Sequence, residues 1–191
     1  RVKLAYFQGD QRTEAGLQRR KGLLSAFSRY PNIELACVET FEWASPVFAF
    51  PQGVAMTQRV LAEHQDLDAI ICANDEGALG VNAALREAGL RGKVHVSGFD
   101  GMPEAITALS TGDLDVTARQ PLDTMASLTL DLATGLVTGE IRTVVHYAQD
   151  VDLVTLANVA EASIRALRVF PEVTADLNRR TMEQRNSVAF L

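Results

Sequence analysis

The feature that most constrains this chain is an alternation. Short apolar runs rich in β-branched residues are separated by stretches of helical periodicity, and the pattern persists through most of the sequence. Such a chain buries both kinds of segment by laying the strands parallel and packing the crossover helices on the sheet. Val2–Phe7, Ile33–Thr40, Ala69–Ala73, Val94–Phe99 and Leu114–Ala118 are the predicted strands. Glu14–Tyr30, Gly53–His64, Glu76–Ala88 and Pro103–Ser110 are the predicted helices. Leu17, Leu23, Leu24 and Phe27 form the inner face of the first helix and Val54, Val60 and Leu61 that of the second, while Gly89 stops the third. An irregular aromatic loop, Phe41–Pro51, carries Trp43, Phe48 and Phe50. The expected fold class is α/β, one open, doubly wound, mostly parallel sheet.

After Gln120-Pro121 the character changes. Leu122–Thr138 reads as a long apolar helix with Met125, Leu128, Leu132 and Leu136 at helical spacing, closed by Gly139. Thr143–Thr155 reads as extended, and Asn158–Leu191 as a helical extension interrupted at Pro171. That extension meets no stop signal at Leu191, so the chain is expected to be cut from something longer.

Net charge −6 argues against contact with nucleic acid phosphates. No apolar run reaches the ~18 residues of a membrane span. Cys37 and Cys72 both lie in apolar runs read as interior strands, where a lone thiol behaves as a small hydrophobe, and this favours a reducing, cytoplasmic compartment over a periplasmic one. His64, His95 and His146 lack metal-ligand spacing, so no metal is expected, and His95 inside its apolar strand reads as a core residue. There is no phosphate-binding glycine loop and no nucleophile-elbow serine, so neither a cofactor nor catalysis is expected.

In an open parallel sheet, ligands bind outside the carboxyl ends of the strands. This chain places Gln8-Gly9-Asp10, Glu42-Trp43, Asn74-Asp75, Asp100-Gly101 and Arg119-Gln120 there. Carboxylates and carboxamides make paired hydrogen bonds to vicinal hydroxyls, and an indole covers an apolar sugar face, so these ends suit a neutral polyhydroxylated ligand. Simpler roles compete. In "CANDEGALG" either Asn74 or Asp75 can cap the following helix, Asp75 being the favoured cap. Asp100-Gly101 can be a plain turn before Pro103, and Trp43 can fill a core pocket. Asp10 and Asp75 together imitate part of a phosphoacceptor site, but Arg119-Gln120 stands where its lysine belongs.

Taken in order, "RRKGL", "DLDAIICANDEGALGVNAALREAG" and "VHVSGFDGMPEAITALSTGDLDVTARQP" resemble the type I periplasmic sugar-binding proteins and the ligand-binding cores of lactose-repressor-type regulators. In that family two lobes clasp a small ligand. The resemblance implies that residues 1–118 are a C-terminal lobe, that 119–156 hold a crossover, a helix of the other lobe and a return segment, and that 157–191 are a helical extension or linker. It makes Asn74, Asp100 and Gln120 ligand-contacting, with Trp43 in the stacking loop and Asp10 at the first strand end. Arg19 is expected to buttress the lobe. Leu17 stands where ribose-type binders place a sugar-contacting arginine, which argues against ribose itself. The first half of the N-terminal lobe has no counterpart, so a fragment is expected.

Because the chain continues past the return segment, the resemblance and the tail together point to a non-catalytic, sugar-sensing domain of a transcriptional or signal-transduction regulator. A homodimer, and an output domain beyond Leu191, go with that expectation. The alternative is the solute-binding protein of a transport system.

Overall fold

A computed structural model describes residues 1–42, 48–141 and 150–160. Its elements run β1 (Val2–Gln8), α1 (Glu14–Phe27), β2 (Ile33–Thr40), α2 (Ala49–Glu63), β3 (Ala69–Cys72), α3 (Asp75–Glu87), β4 (His95–Asp100), α4 (Pro103–Thr111), β5 (Val116–Arg119), α5 (Leu122–Thr138) and β6 (Asp152–Thr155). They build one sheet of order β2-β1-β3-β4-β5-β6. Every pairing is parallel except β5 with β6. The expected α/β doubly wound sheet is the observed one.

Register explains the core. Ala5 pairs with Ile70 and Phe7 with Cys72, and Ile70 pairs in turn with Val96, so these side chains share one sheet face. Met56 and Val60 of α2 and Val81 and Leu85 of α3 close over that face in one apolar cluster. At a coefficient of ~25 cal/mol per Å² of apolar area, burial of such side chains is the main stabilising term. The two helices pack at glycine: a Cβ on Gly53 would collide with the carbonyl of Gly77, so backbone lies against backbone there.

Several boundaries and exposures differ from expectation for local reasons. α1 stops at Phe27 because Tyr30 precedes Pro31 and is disfavoured in the helical region; Arg29 and Tyr30 instead close tight turns onto Ala26 and Phe27. α2 begins earlier, at Ala49, since Pro51 falls in its first turn, where a missing N–H costs nothing. Leu17 and Leu24 do not face inward: they are 46% and 39% exposed, and only Gly16 of α1 is buried. His95 is not a core residue. It opens β4 at the sheet's lower edge, its side chain 69% exposed, with Nδ1 2.8 Å from Asp115 Oδ1.

α5 leaves the sheet after Pro121. Leu130 and Val137 are 69% and 89% exposed, and Gly135, beneath Ile141, is its one buried residue. No helix among the described residues is long and apolar enough to cross a membrane. Trp43, most of the 143–155 extended segment and the helical extension from 161 to Leu191 lie outside the described residues.

Candidate functional site

The carboxyl ends of β3 and β4 are drawn together by one side chain from α1. Arg19 Nη1 donates to the carbonyl of Ala73 at 2.5 Å and Nη2 to Asp100 Oδ1 at 3.0 Å. Its guanidinium lies 3.9 Å above the centre of the Phe99 ring, where the negative face of the ring adds cation–π attraction. The planar fork of arginine can serve two acceptors on different strands at once, which a lysine cannot.

Asp100 ends β4 with φ 121°, the one non-glycine positive φ among the described residues, and Gly101 follows at 73°. Such a residue is strained by about 1–3 kcal/mol unless its surroundings over-determine it. Gln120 supplies part of that support. Its N–H donates to the Asp100 carbonyl at 3.2 Å, and its Nε2 to Asp100 Oδ1 at 2.6 Å. Asp100 and Gln120 are therefore joined by backbone and side chain at the point where the chain leaves the sheet for α5.

Asn74, not Asp75, caps α3. It sits in extended backbone and its Oδ1 accepts from the Gly77 N–H at 2.7 Å. Asp75 is the first helical residue, and its carboxylate turns inward because Gly98 leaves room for it: a Cβ at Gly98 would collide with Asp75 Oδ1. Local capping preference does not see that vacancy, since the glycine lies on another strand.

Asp10 is buried, 5% exposed, and bonded to Arg12 of its own loop. Arg12 grips it with Nε to Oδ1 at 2.9 Å and Nη2 to Oδ2 at 2.6 Å, and the Arg12 N–H adds a third bond at 2.9 Å. The structure thus joins Asp100 and Gln120 directly and reaches the Asn74 end of β3 through Arg19. Asp10 is held by Arg12, and Trp43 lies outside the described residues.

Burial pushes the Asp100 carboxyl above the usual carboxylate range, against the pull of Arg19 and of the Gln120 bond. Burial also raises Asp75, against its bonds from Thr117 and Met102. Among the described residues, Asp100 Oδ2, Gln120 Oε1 and Asn74 Nδ2 carry no hydrogen bond. Two acceptors and one donor are left open on a rim whose one carboxylate is already neutralised by Arg19. That set matches hydroxyl groups of a neutral solute better than an ion of either sign.

A sequence profile described as periplasmic binding protein domain matches residues 1–141. The D-allose-binding periplasmic protein of Escherichia coli is 33% identical over 121 residues, 63% of this chain and 37% of its own. The ribose import binding protein of Salmonella typhimurium is 31% identical over 154 residues, 80% of this chain and 49% of its own. A periplasmic solute-binding protein of an ABC transporter from Actinobacillus succinogenes, solved with bound D-allose, superposes with TM-score 0.76 at 28% identity, covering 84% of this chain and 55% of that one. The chain spans between 37% and 49% of the length of these curated relatives. These similarities overturn the regulator expectation and the cytoplasmic location, because the relatives are periplasmic or import binding proteins. The expected roles in transcription and signal transduction fall with them, and the homodimer and output domain gain no support.

Proposed function

The chain belongs to the periplasmic binding protein domain family, and from that premise we propose that it is part of a periplasmic solute-binding protein that presents a sugar-like molecule to an ABC-type importer. The family places it among binding proteins rather than enzymes. In this reading residues 1–118 form one lobe, residues 119–156 the crossover, a helix of the second lobe and the return, and 157–191 an extension. The ligand lies on the rim made by Asn74, Asp100 and Gln120, with a second lobe closing from above.

The observation that carries this reading is the Asp100–Gln120 pair. Its two bonds tie the ligand-facing carboxylate to the segment where the chain crosses between lobes, so a solute held by Asp100 acts on the crossover itself. Closure then needs only a shift between arrangements of the crossover, biased by the solute's contacts with both lobes. A neutral, hydroxyl-rich ligand fits because Arg19 cancels the charge of Asp100 before any solute arrives.

The test is a thermal-shift screen of the full-length protein against neutral monosaccharides and charged small solutes. A ligand that binds only the native state raises the melting temperature by mass action. A rise with a monosaccharide that disappears in Asp100→Ala supports the reading. A rise confined to charged solutes overturns it.

A further inference from the structure

Asp75 has no direct place on the rim, yet its carboxylate is one of the most fully enclosed groups in the fold, 0% exposed. Both oxygens are used. Oδ2 accepts the Met102 N–H at 2.7 Å, and Oδ1 accepts the Thr117 hydroxyl at 2.6 Å. The same hydroxyl oxygen accepts the Gly101 N–H at 3.3 Å. Asp75 therefore holds Met102 directly and Gly101 through Thr117, the two residues that follow the strained Asp100.

We propose that Asp75 is the positioning residue for the sugar-facing carboxylate: from beneath the rim it clamps the Asp100–Gly101–Met102 turn against β5 and so fixes where Asp100 stands. The inference rests on the reading of Asn74, Asp100 and Gln120 as a sugar rim and adds a residue behind it.

Three observations make the clamp more than a buried cap. Asp75 is not the cap of α3, since Asn74 fills that role, so its side chain is free to serve another element. Room for it is made by Gly98, on the strand that carries Asp100, where any Cβ would displace the carboxylate. The turn it holds is the one place among the described residues where a non-glycine residue has positive φ, and such a conformation persists only when its surroundings over-determine it. Without Asp75, the Met102 N–H loses its acceptor and the Thr117 hydroxyl that receives the Gly101 N–H loses its anchor, so Asp100 can relax toward ordinary backbone, away from Gln120 and Arg19.

The experiment compares wild-type full-length protein with Asp75→Asn, Thr117→Val and Thr117→Ser. D-allose and D-ribose are the probes for calorimetric titration, and amide proton shifts of Gly101 and Met102 are recorded without ligand. Thr117→Val is nearly isosteric but removes the hydroxyl, whereas Thr117→Ser keeps it. The expected result is affinity weakened about tenfold in Asp75→Asn and in Thr117→Val, restored to within about twofold in Thr117→Ser, as loss of one hydrogen bond to a charged group implies. The Met102 amide proton should also move upfield in Asp75→Asn. Affinities within about twofold of wild type in both Asp75→Asn and Thr117→Val overturn the clamp. If Asp75→Asn fails to fold, Thr117→Val against Thr117→Ser decides alone. If wild type binds neither sugar, the amide shifts decide alone: moved Gly101 and Met102 shifts in the variants support the clamp, and unchanged ones overturn it.

Discussion

Arg19 and Asp100, on separate elements 81 residues apart in sequence, form a partly buried ion pair of 3.0 Å, with side chains 16% and 26% exposed. The pair fixes the proposed ligand rim from behind. Arg19→Met keeps much of the stem's packing but leaves a half-buried carboxylate without its cation, and should cost about 1–3 kcal/mol of stability. Arg19→Lys retains charge without the fork and should fall between. Urea denaturation followed by tryptophan fluorescence measures both, and a value for Arg19→Met near zero would mean that solvent already screens the pair.

Asn74 caps a helix and, in the proposed reading, also donates to the ligand, and one pair of substitutions separates the two roles. Its Oδ1 caps α3 and its Nδ2 remains open toward the rim. Asn74→Ala should lose about 1 kcal/mol of stability through the cap. Asn74→Asp keeps an oxygen at the cap and gains from the helix dipole, so stability should hold while sugar affinity drops about tenfold or more through loss of the amide donor. Calorimetric titration of Asn74→Asp with an unchanged melting temperature is the decisive measurement. Retained affinity would show that only the cap matters.

Local information made most of this legible. β-Branched runs and helical stripes place each strand end, and the rim follows because parallel strands all point their carboxyl ends one way. What failed was information carried by distant partners. Asp75 reads as a cap from its neighbours, but Gly98 and Thr117 decide its direction. His95 reads as core because it stands between Val94 and Val96, yet the strand opens at His95 itself, where its side chain is exposed beside Asp115. Leu17 and Leu24 share a helical stripe with Leu23 and Phe27, but α1 packs through its Gly16 end and leaves them in solvent. The choice between a regulator and a transport protein is not legible in Asn74, Asp100 and Gln120, since the motifs that carry them resemble both. Similarity to named binding proteins speaks against the regulator and supports the transport reading.

Stability should respond to acid in an unusual sense at this site. Both Asp75 and Asp100 have carboxyls raised above their ordinary 3.8 by burial. A carboxyl raised in the folded state binds its proton more tightly there than in the unfolded chain, so its contribution is fully present below 3.8 and is lost as pH rises through the folded value. The groups facing Asp75 are Asp100 from β4, Cys72 from β3 and the Thr117 hydroxyl from β5; those facing Asp100 are Arg19 from α1 and Gln120. Relative to Asp75→Asn, wild type should gain stability on acidification from neutral pH toward 4, read as the difference in melting temperature across that range. A difference independent of pH would mean that Asp75 titrates at its ordinary value.

Gly98 and Asp75 should be energetically coupled. Gly98→Ala places a methyl group where Asp75 Oδ1 now lies, and the carboxylate cannot easily yield because Met102 and Thr117 hold both oxygens. Overpacking of this kind costs about 1–3 kcal/mol. Once Asp75→Ala has removed the obstructing carboxylate, the same methyl group enters vacated space, so Gly98→Ala should cost less in that background. A double-mutant cycle of denaturation free energies measures the difference, expected at about 1 kcal/mol or more. Strict additivity would mean that the backbone around Gly98 resists the methyl group by itself, and that the empty position on β4 is not what admits Asp75.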